Sequence, residues 1–161
     1  MGCAWKGRWN VLSDLVSEEL IQLDVEATNW EDGVRKSAQP LVDAGKVTPA
    51  YVDDIVKGVN ELGPYIVITE HVALPHARPE QGALEPAVGI TVLREPVEFG
   101  SKDNDPVKFL FPLSAKDSDG HIAALQSLVE LLSDPEFFTR LEAAHSPKDV
   151  MGLIHDMEGS L

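Results

Sequence analysis

The stretch Val72-Ala73-Leu74-Pro75-His76-Ala77-Arg78-Pro79 joins an apolar run to a turn that carries a histidine and an arginine. Pro75 has a fixed φ and favours extended geometry at the residue before it, so the apolar run is predicted to be a strand that ends here. His76 is then held at the end of a stiff strand, where an imidazole with one open nitrogen suits nucleophilic or phosphoryl chemistry. The guanidinium of Arg78 could pair with phosphoryl oxygens in bidentate fashion. A histidine buried in a structural turn is the alternative.

Around this stretch, hydrophobic periodicity predicts helices that alternate with strands. Elements of this length in this mixture indicate an α/β fold, with a mixed β-sheet flanked by helices on both faces in a single layered domain. We expect an N-terminal extension over residues 1–12 and the domain over residues 13–161. Strands are predicted at 19–25, 65–69, 72–74, 87–93 and 107–113, and helices at 13–19, 28–45, 48–63, 121–132, 135–144 and 146–157.

Three of these elements carry a more specific expectation. The β-branched run at 65–69 is predicted to be a buried strand. Pro40 lies inside the second helix and is expected to kink it or to delay its second half. The strand at 87–93 is expected to end at Arg94-Glu95-Pro96.

Length and composition favour one globular domain in a reducing compartment. The chain has 161 residues, of which 43% are hydrophobic, so it can bury a sizeable core. It has no apolar run of the ~20 residues that a membrane helix needs, and no secretory signal pattern. Cys3 is the only cysteine and cannot form an internal disulfide. These features predict a cytoplasmic protein without direct membrane insertion.

The net charge is −14, which argues against nucleic acid as a partner because phosphates would repel this surface. Acidic residues around a site could steer the approach of a basic protein face. The alternative is that the charge serves solubility alone.

Several common chemistries lack their sequence patterns. The chain has no glycine-rich phosphate loop, no dinucleotide fingerprint and no nucleophile elbow, so we expect no nucleotide cofactor and no serine triad. It has no His-Glu-x-x-His helix and no cysteine cluster, so we expect no metal. His71 and His76 could bind a metal from adjacent turns, but a third ligand is not evident.

His121 is the second candidate for the site. It follows a polar loop after the 107–113 strand and lies in the first turn of the long helix, where free backbone N–H groups favour an anion. A histidine with only a capping role is the alternative. His145 and His155 lie near the ends of the terminal helices and are expected at the surface.

From Val25 to Ile154 the chain resembles the enzyme IIA domains of the mannitol–fructose class of the bacterial phosphotransferase system. It is more similar still to the ascorbate-type IIA proteins. The resemblance is carried by the histidine turn, by Gly120-His121-Ile122 and by a set of supporting stretches. These are Glu26-Ala27-Thr28-Asn29-Trp30, Gly63-Pro64-Tyr65, Pro75-His76-Ala77-Arg78-Pro79-Glu80 and Asn104-Asp105-Pro106-Val107.

The resemblance implies a phosphocarrier role. His76 would receive a phosphoryl group from the phosphohistidine of the carrier protein HPr and pass it to a cysteine of the cognate IIB protein or domain. A membrane IIC component would handle the sugar or ascorbate. His121 would match the second active-site histidine of the family, which steadies the phosphorylated ring. Residues 13–161 would be the type-2 IIA domain, and residues 1–10 have no counterpart.

The chain also departs from the mannitol-type pattern. Such members carry an arginine upstream of the active histidine, which Val59-Asn60-Glu61-Leu62 lacks, so Arg78 is expected to supply the positive charge. Leu74 and Leu113 are predicted to form the wall of an apolar docking patch around His76. Two alternatives remain: a regulatory IIA-like module whose phosphorylation state controls another protein, and a non-catalytic α/β binding domain.

Overall fold

Five strands form one mixed sheet in the computed structural model, which describes residues 11–160. The described residues contain seven strands in all: β1 (Ile21–Val25), β2 (Val67–Thr69), β3 (Val72–Ala73), β4 (Ala87–Val88), β5 (Ile90–Val97), β6 (Val107–Leu110) and β7 (Leu113–Ser114). The sheet order is β1-β5-β6-β3-β2, while β4 and β7 pair separately. β1 runs parallel to β5 and β3 parallel to β6, whereas the β2–β3 and β5–β6 pairs are antiparallel.

Six α-helices surround the sheet within the described range. They are α1 (Val11–Leu15), α2 (Trp30–Asp43), α3 (Pro49–Leu62), α4 (Ser118–Leu132), α5 (Pro135–Ala143) and α6 (Pro147–Ser160). Short 3-10 turns occupy Glu18–Leu20 and Pro79–Gln81. No helix of the described residues is long and apolar enough to cross a membrane. Residues 1–10 of the predicted extension lie outside the described residues.

The core lies on both faces of the sheet, because successive strand residues point to opposite sides. Val72 and Phe109 pack in one cluster with α1, α4, α5 and α6. Their neighbours Ala73 and Leu110 pack in a second cluster with α2 and α3. This arrangement confirms the predicted mixed sheet with helices on both faces.

Three strand predictions are wrong in detail. The run at 65–69 is not a buried strand, because β2 lies at the sheet edge and Ile68 is 41% exposed. The run at 87–93 breaks at Gly89, where a Cβ atom would lie 2.9 Å from Pro112 Cγ and 3.0 Å from Leu41 Cδ1. β5 then continues through Pro96. The pairing register with β6 shifts there, so the N–H that proline lacks interrupts no regular strand pairing. The run at 107–113 divides at Phe111-Pro112 into β6 and β7.

The helix predictions hold apart from two of them. The first predicted helix stops at Leu15 and is followed by the 3-10 turn, so it does not reach residue 19. α4 begins at Ser118, three residues earlier than predicted, because the Asp117 side chain caps it by accepting from Gly120 N at 2.7 Å.

α2 runs without interruption through Pro40 to Asp43. A proline has no N–H, so the carbonyl of Lys36 loses its usual helical donor. The side-chain amide of Gln22 on β1 replaces it and donates to Lys36 O at 2.8 Å. This tertiary contact is the reason that the helix is not delayed.

Candidate functional site

The turn that follows β3 opens into a surface cleft of about 460 Å³. The end of α3 and the start of α4 form its two sides. The cleft holds all three of the predicted site residues, His76, Arg78 and His121. It is lined by Leu62, Tyr65, His76, Ala77, Arg78, Pro79, Ser118, His121 and Ile122.

The His76 ring is fixed through one nitrogen. Its Nδ1 lies 2.6 Å from the carbonyl oxygen of Leu74. A carbonyl oxygen can only accept, so the ring must carry its proton on Nδ1 and leave the Nε2 lone pair available. Nε2 has no hydrogen-bond partner among residues 11–160. The Leu74 carbonyl therefore fixes the tautomer of the His76 ring.

His121 stands beside this ring, in the first turn of α4. The two ring centroids are 5.2 Å apart and the ring planes are inclined by 52°. Burial lowers the pKa of His121 below its ordinary value, and the proximity of His76 lowers it further. His121 is therefore neutral at pH 7 and can offer one N–H group to an anion between the rings.

Tyr65 is a second aromatic neighbour of His76. Its ring meets the imidazole edge-on at 5.8 Å between centroids, and its hydroxyl donates to the His76 carbonyl oxygen at 3.3 Å. Gly58 on α3 provides the room, because a Cβ atom there would lie 3.0 Å from Tyr65 Oη. Sequence reasoning assigned Tyr65 to a buried strand and missed this role. The preceding Gly63-Pro64, which ends α3, was the signal that the chain turns towards the site.

A second tyrosine supports the turn from beneath. Tyr51 of α3 is 2% exposed, and its hydroxyl contacts Ala77, directly after His76. Tyr51 lies on the buried face of α3, and hydrophobic periodicity gives no indication of this contact. Its polar tip distinguishes it from the aliphatic residues of the same face.

Arg78 is exposed at the mouth of the cleft. In the part of the chain that the structure describes, its guanidinium forms no salt bridge. It is thus a cation available to a ligand that enters the cleft.

The predicted apolar wall is wrong. Leu74 and Leu113 are 1% and 0% exposed, because each lies at a strand end with its side chain in the core. The apolar residues that do reach the surface of the cleft are Leu62, Tyr65 and Ile122. They lie at helix ends and in a loop, which strand periodicity does not describe.

The remaining histidines lie elsewhere. His145 and His155 are exposed on the surface, as expected. His71 precedes β3, so five residue steps of extended chain, roughly 16 Å, lead from it to His76. No group of three His, Cys, Asp or Glu side chains among the described residues could hold a metal ion.

Comparison with known proteins gives one consistent result. Residues 14–157 match the family model of the phosphoenolpyruvate-dependent sugar phosphotransferase system, EIIA 2. The ascorbate-specific PTS system EIIA component of Escherichia coli K12 is 37% identical over 141 residues, which cover 87% of this chain and 92% of that protein.

Solved structures give the same result. The mannitol-specific cryptic phosphotransferase enzyme IIA CmtB of Escherichia coli is 36% identical, with a TM-score of 0.80 over 89% of this chain and 97% of that one. A chain from the Escherichia coli complex of enzyme IIAMTL with phosphorylated enzyme IIBMTL is 26% identical. It has a TM-score of 0.76 over 88% of this chain and 97% of that chain.

Proposed function

The chain belongs to the EIIA 2 family of the phosphoenolpyruvate-dependent sugar phosphotransferase system, and we propose that His76 is the residue that carries the phosphoryl group. Its activity is that of a phosphotransferase of the IIA type, which carries a phosphoryl group on histidine. One observation supports His76 above the other histidines. Its Nδ1 is held by Leu74 O at 2.6 Å, while Nε2 faces a cleft with no partner among the described residues.

The transfer onto His76 needs alignment and charge stabilisation more than covalent work. The Nε2 lone pair attacks the phosphorus of a phosphohistidine on the carrier protein HPr. The P–N bond of the donor breaks, and its electron pair returns to the donor ring, which leaves as neutral imidazole with a proton on its other nitrogen. Throughout this step the proton stays on Nδ1 of His76, which donates it in a hydrogen bond to the Leu74 carbonyl oxygen.

The onward step reverses the roles. A thiolate of a IIB cysteine attacks phosphorus, the P–Nε2 bond breaks, and its electron pair returns to Nε2. Because Nδ1 already carries a proton, His76 leaves as a neutral imidazole, which is a better leaving group than the anion. The same hydrogen bond to Leu74 therefore suits both acceptance and release.

Arg78 and His121 are the groups placed to stabilise the transferring phosphoryl charge. The guanidinium of Arg78 offers a planar fork for two oxygens. The neutral ring of His121, 5.2 Å from His76 between centroids, offers one N–H donor. Both line the same cleft as Nε2.

The partners are proposed to dock on the apolar surface around this cleft. Five of the six large hydrophobic side chains exposed among the described residues lie on this face, and Leu84 is the exception. Ile122, Leu125 and Val129 extend it along one side of α4, since residues three and seven apart share a helix face. The five are Leu62, Tyr65, Ile68, Ile122 and Val129.

HPr and a IIB protein are the proposed occupants. Because both must reach His76 through the same cleft, they bind in turn. The IIAMTL–IIBMTL complex, whose IIA fold this chain shares, supports a IIB partner. The similarity to the ascorbate-specific component favours an ascorbate-type system in the cytoplasm. Transfer rates to ascorbate-type and mannitol-type IIB proteins would decide between the two substrate classes.

The direct test is incubation with phosphoenolpyruvate, enzyme I and HPr, followed by mass spectrometry. We expect one phosphate, located on His76 by fragmentation, and none on the His76→Gln variant. Phosphate retained on that variant would refute the assignment. Circular dichroism of the variant is the control that the fold survives.

A further inference from the structure

We propose that Tyr51 is a positioning residue, which sets the spacing between the His76 turn and the segment that leads to His121. The proposal rests on the proposed function, since it concerns the geometry of the same site. Its basis is the set of contacts made by one buried hydroxyl group.

The Tyr51 hydroxyl joins two segments that are far apart in sequence. It lies 2.7 Å from the carbonyl oxygen of Leu113 and 3.2 Å from that of Ala77. It also accepts the backbone N–H of Ala77 at 3.1 Å. Ala77 directly follows His76, and Leu113 begins β7, so the hydroxyl bridges the His76 turn and the start of β7.

The Leu113 side of this bridge leads directly to His121. Leu113 N donates to Pro75 O at 2.9 Å, which gives the two segments a second link. Only Ala115 and Lys116 separate Ser114 from Asp117, the N-cap residue of α4. His121 N donates to Asp117 O at 3.0 Å in the first turn of that helix. A shift of Leu113 relative to Ala77 is therefore transmitted to the distance between the two imidazole rings.

The base of the Tyr51 side chain is held as firmly as its tip. Tyr51 lies in the first turn of α3, where its N–H donates to the side chain of the cap Thr48 at 3.2 Å. Thr48 N in turn donates to Gly82 O at 2.9 Å, on the segment that follows the histidine turn. Gly82 has φ +135°, and a Cβ atom there would lie 2.2 Å from Thr48 Oγ1, so this junction requires glycine.

The hydroxyl is a buried, neutral hydrogen-bonding group. Burial raises the pKa of Tyr51 to about 12, so the group stays a neutral O–H at working pH. Ala77 is also buried, with 7% exposed. Without the hydroxyl, the Ala77 N–H faces an apolar ring edge, and the turn must move to satisfy it.

The test compares Tyr51→Phe with Thr91→Val. Both substitutions remove one buried hydroxyl and otherwise keep the shape of the side chain. Thr91 on β5 has Gln22, on the paired strand β1, as its only partner in the contacts described for its side chain. Two readouts are needed: the ¹⁵N resonances of the His76 and His121 rings in the unphosphorylated protein, and the rate of phosphoryl transfer from phospho-HPr.

We expect Tyr51→Phe to shift both ring resonances and to slow transfer by roughly tenfold to a hundredfold, the order of effect of a small misplacement. Thr91→Val should leave both readouts at the wild-type values, even if it lowers the stability of the protein as much as Tyr51→Phe does. Unchanged resonances and an unchanged rate in Tyr51→Phe would overturn the proposal. If wild-type protein accepts no phosphate, the proposed function fails, whereas the ring resonances still decide the positioning role.

Discussion

The two ends of β3 carry one histidine each, and the two are held in different ways. His71, before the strand, has both ring nitrogens in contact with a partner: Nδ1 lies 2.7 Å from Pro106 O and Nε2 lies 3.1 Å from Glu70 Oε1. His76, after the strand, has only its Nδ1 engaged within the described part of the chain, with Leu74 O. The His71 ring is held by its neighbour Glu70 and by the distant Pro106, while that of His76 keeps one nucleophilic nitrogen.

The surroundings of the two rings also differ. His71 adopts φ +69° in the turn between β2 and β3, and its backbone bonds to the 104–108 loop and strand. His76 lines an open cleft with a second histidine, a tyrosine and Arg78, which forms no salt bridge among residues 11–160. A histidine becomes a candidate for chemistry when the fold satisfies one nitrogen and leaves the other exposed to a binding surface.

The largest effect expected from this contrast is on phosphate acceptance. His76→Gln should abolish labelling by phospho-HPr, whereas His71→Asn should stay within about twofold of wild type, as for most surface substitutions. Asparagine is chosen at 71 because it tolerates positive φ. Mass spectrometry of both variants measures this, and a complete loss in His71→Asn would erase the contrast between the two ends of β3.

The next effect is expected at the neighbour of His76. His121→Ala removes one N–H donor from the phosphoryl group, and we expect onward transfer to a IIB cysteine to slow by about 10²-fold. Some phosphorylation of His76 should remain, because its Nε2 is unaffected. Rapid-quench measurement of the phosphorylated fraction checks this, and wild-type kinetics would reduce His121 to a capping role.

A smaller effect is expected on docking. Val129→Asp places a charge in the apolar surface about 12 Å along α4 from His121, away from the chemistry. Its KM for phospho-HPr should rise about tenfold with kcat unchanged, the usual scale for a docking residue. Leu84→Asp is the matched control, since Leu84 is 48% exposed against 56% for Val129 but lies outside this surface. An equal rise in both variants would contradict the proposed docking face.

The smallest effect is a titration shift. The pKa of His121 is lowered by burial and then by His76, so its NMR titration should have a midpoint below 6.5. In His76→Gln the midpoint should rise but remain below 6.5, because burial persists. The folded-state pKa lies below the unfolded one, so the contribution of His121 to stability falls as pH drops below about 6.5 and is constant above it. A midpoint unchanged by His76→Gln would mean that the rings do not interact.

The sequence was sufficient for the elements that local rules determine. Periodicity, caps and prolines located the helices, and the stiff Pro75 turn placed His76 at a strand end. The predictions that were wrong share one cause, namely contacts between segments that are distant in the sequence. Gly89 breaks a strand because Pro112 and Leu41 approach it, and β2 is exposed because nothing pairs with its outer edge within the described residues.

The site shows the same division. His76, Arg78 and His121 carry recognisable chemistry and were selected from the sequence, and the structure brings them into one cleft. Tyr51 and Tyr65 act through contacts with backbone carbonyls 26 and 11 residues away, which no local pattern records. The docking face was misplaced for a related reason, since a leucine at a strand end gives no indication of which side it faces.

Pro40 has a consequence for how the molecule opens. The amide of Gln22 that replaces its missing donor also lies 3.1 Å from Thr91 Oγ1, so one side chain connects α2 with β1 and β5. The hydrogen bond to the Lys36 carbonyl, which would ordinarily lie within the helix, here joins the helix to the sheet. α2 cannot fray past its middle without disturbing the sheet, and local opening of the helix is thereby coupled to the cooperative unfolding of the whole layer.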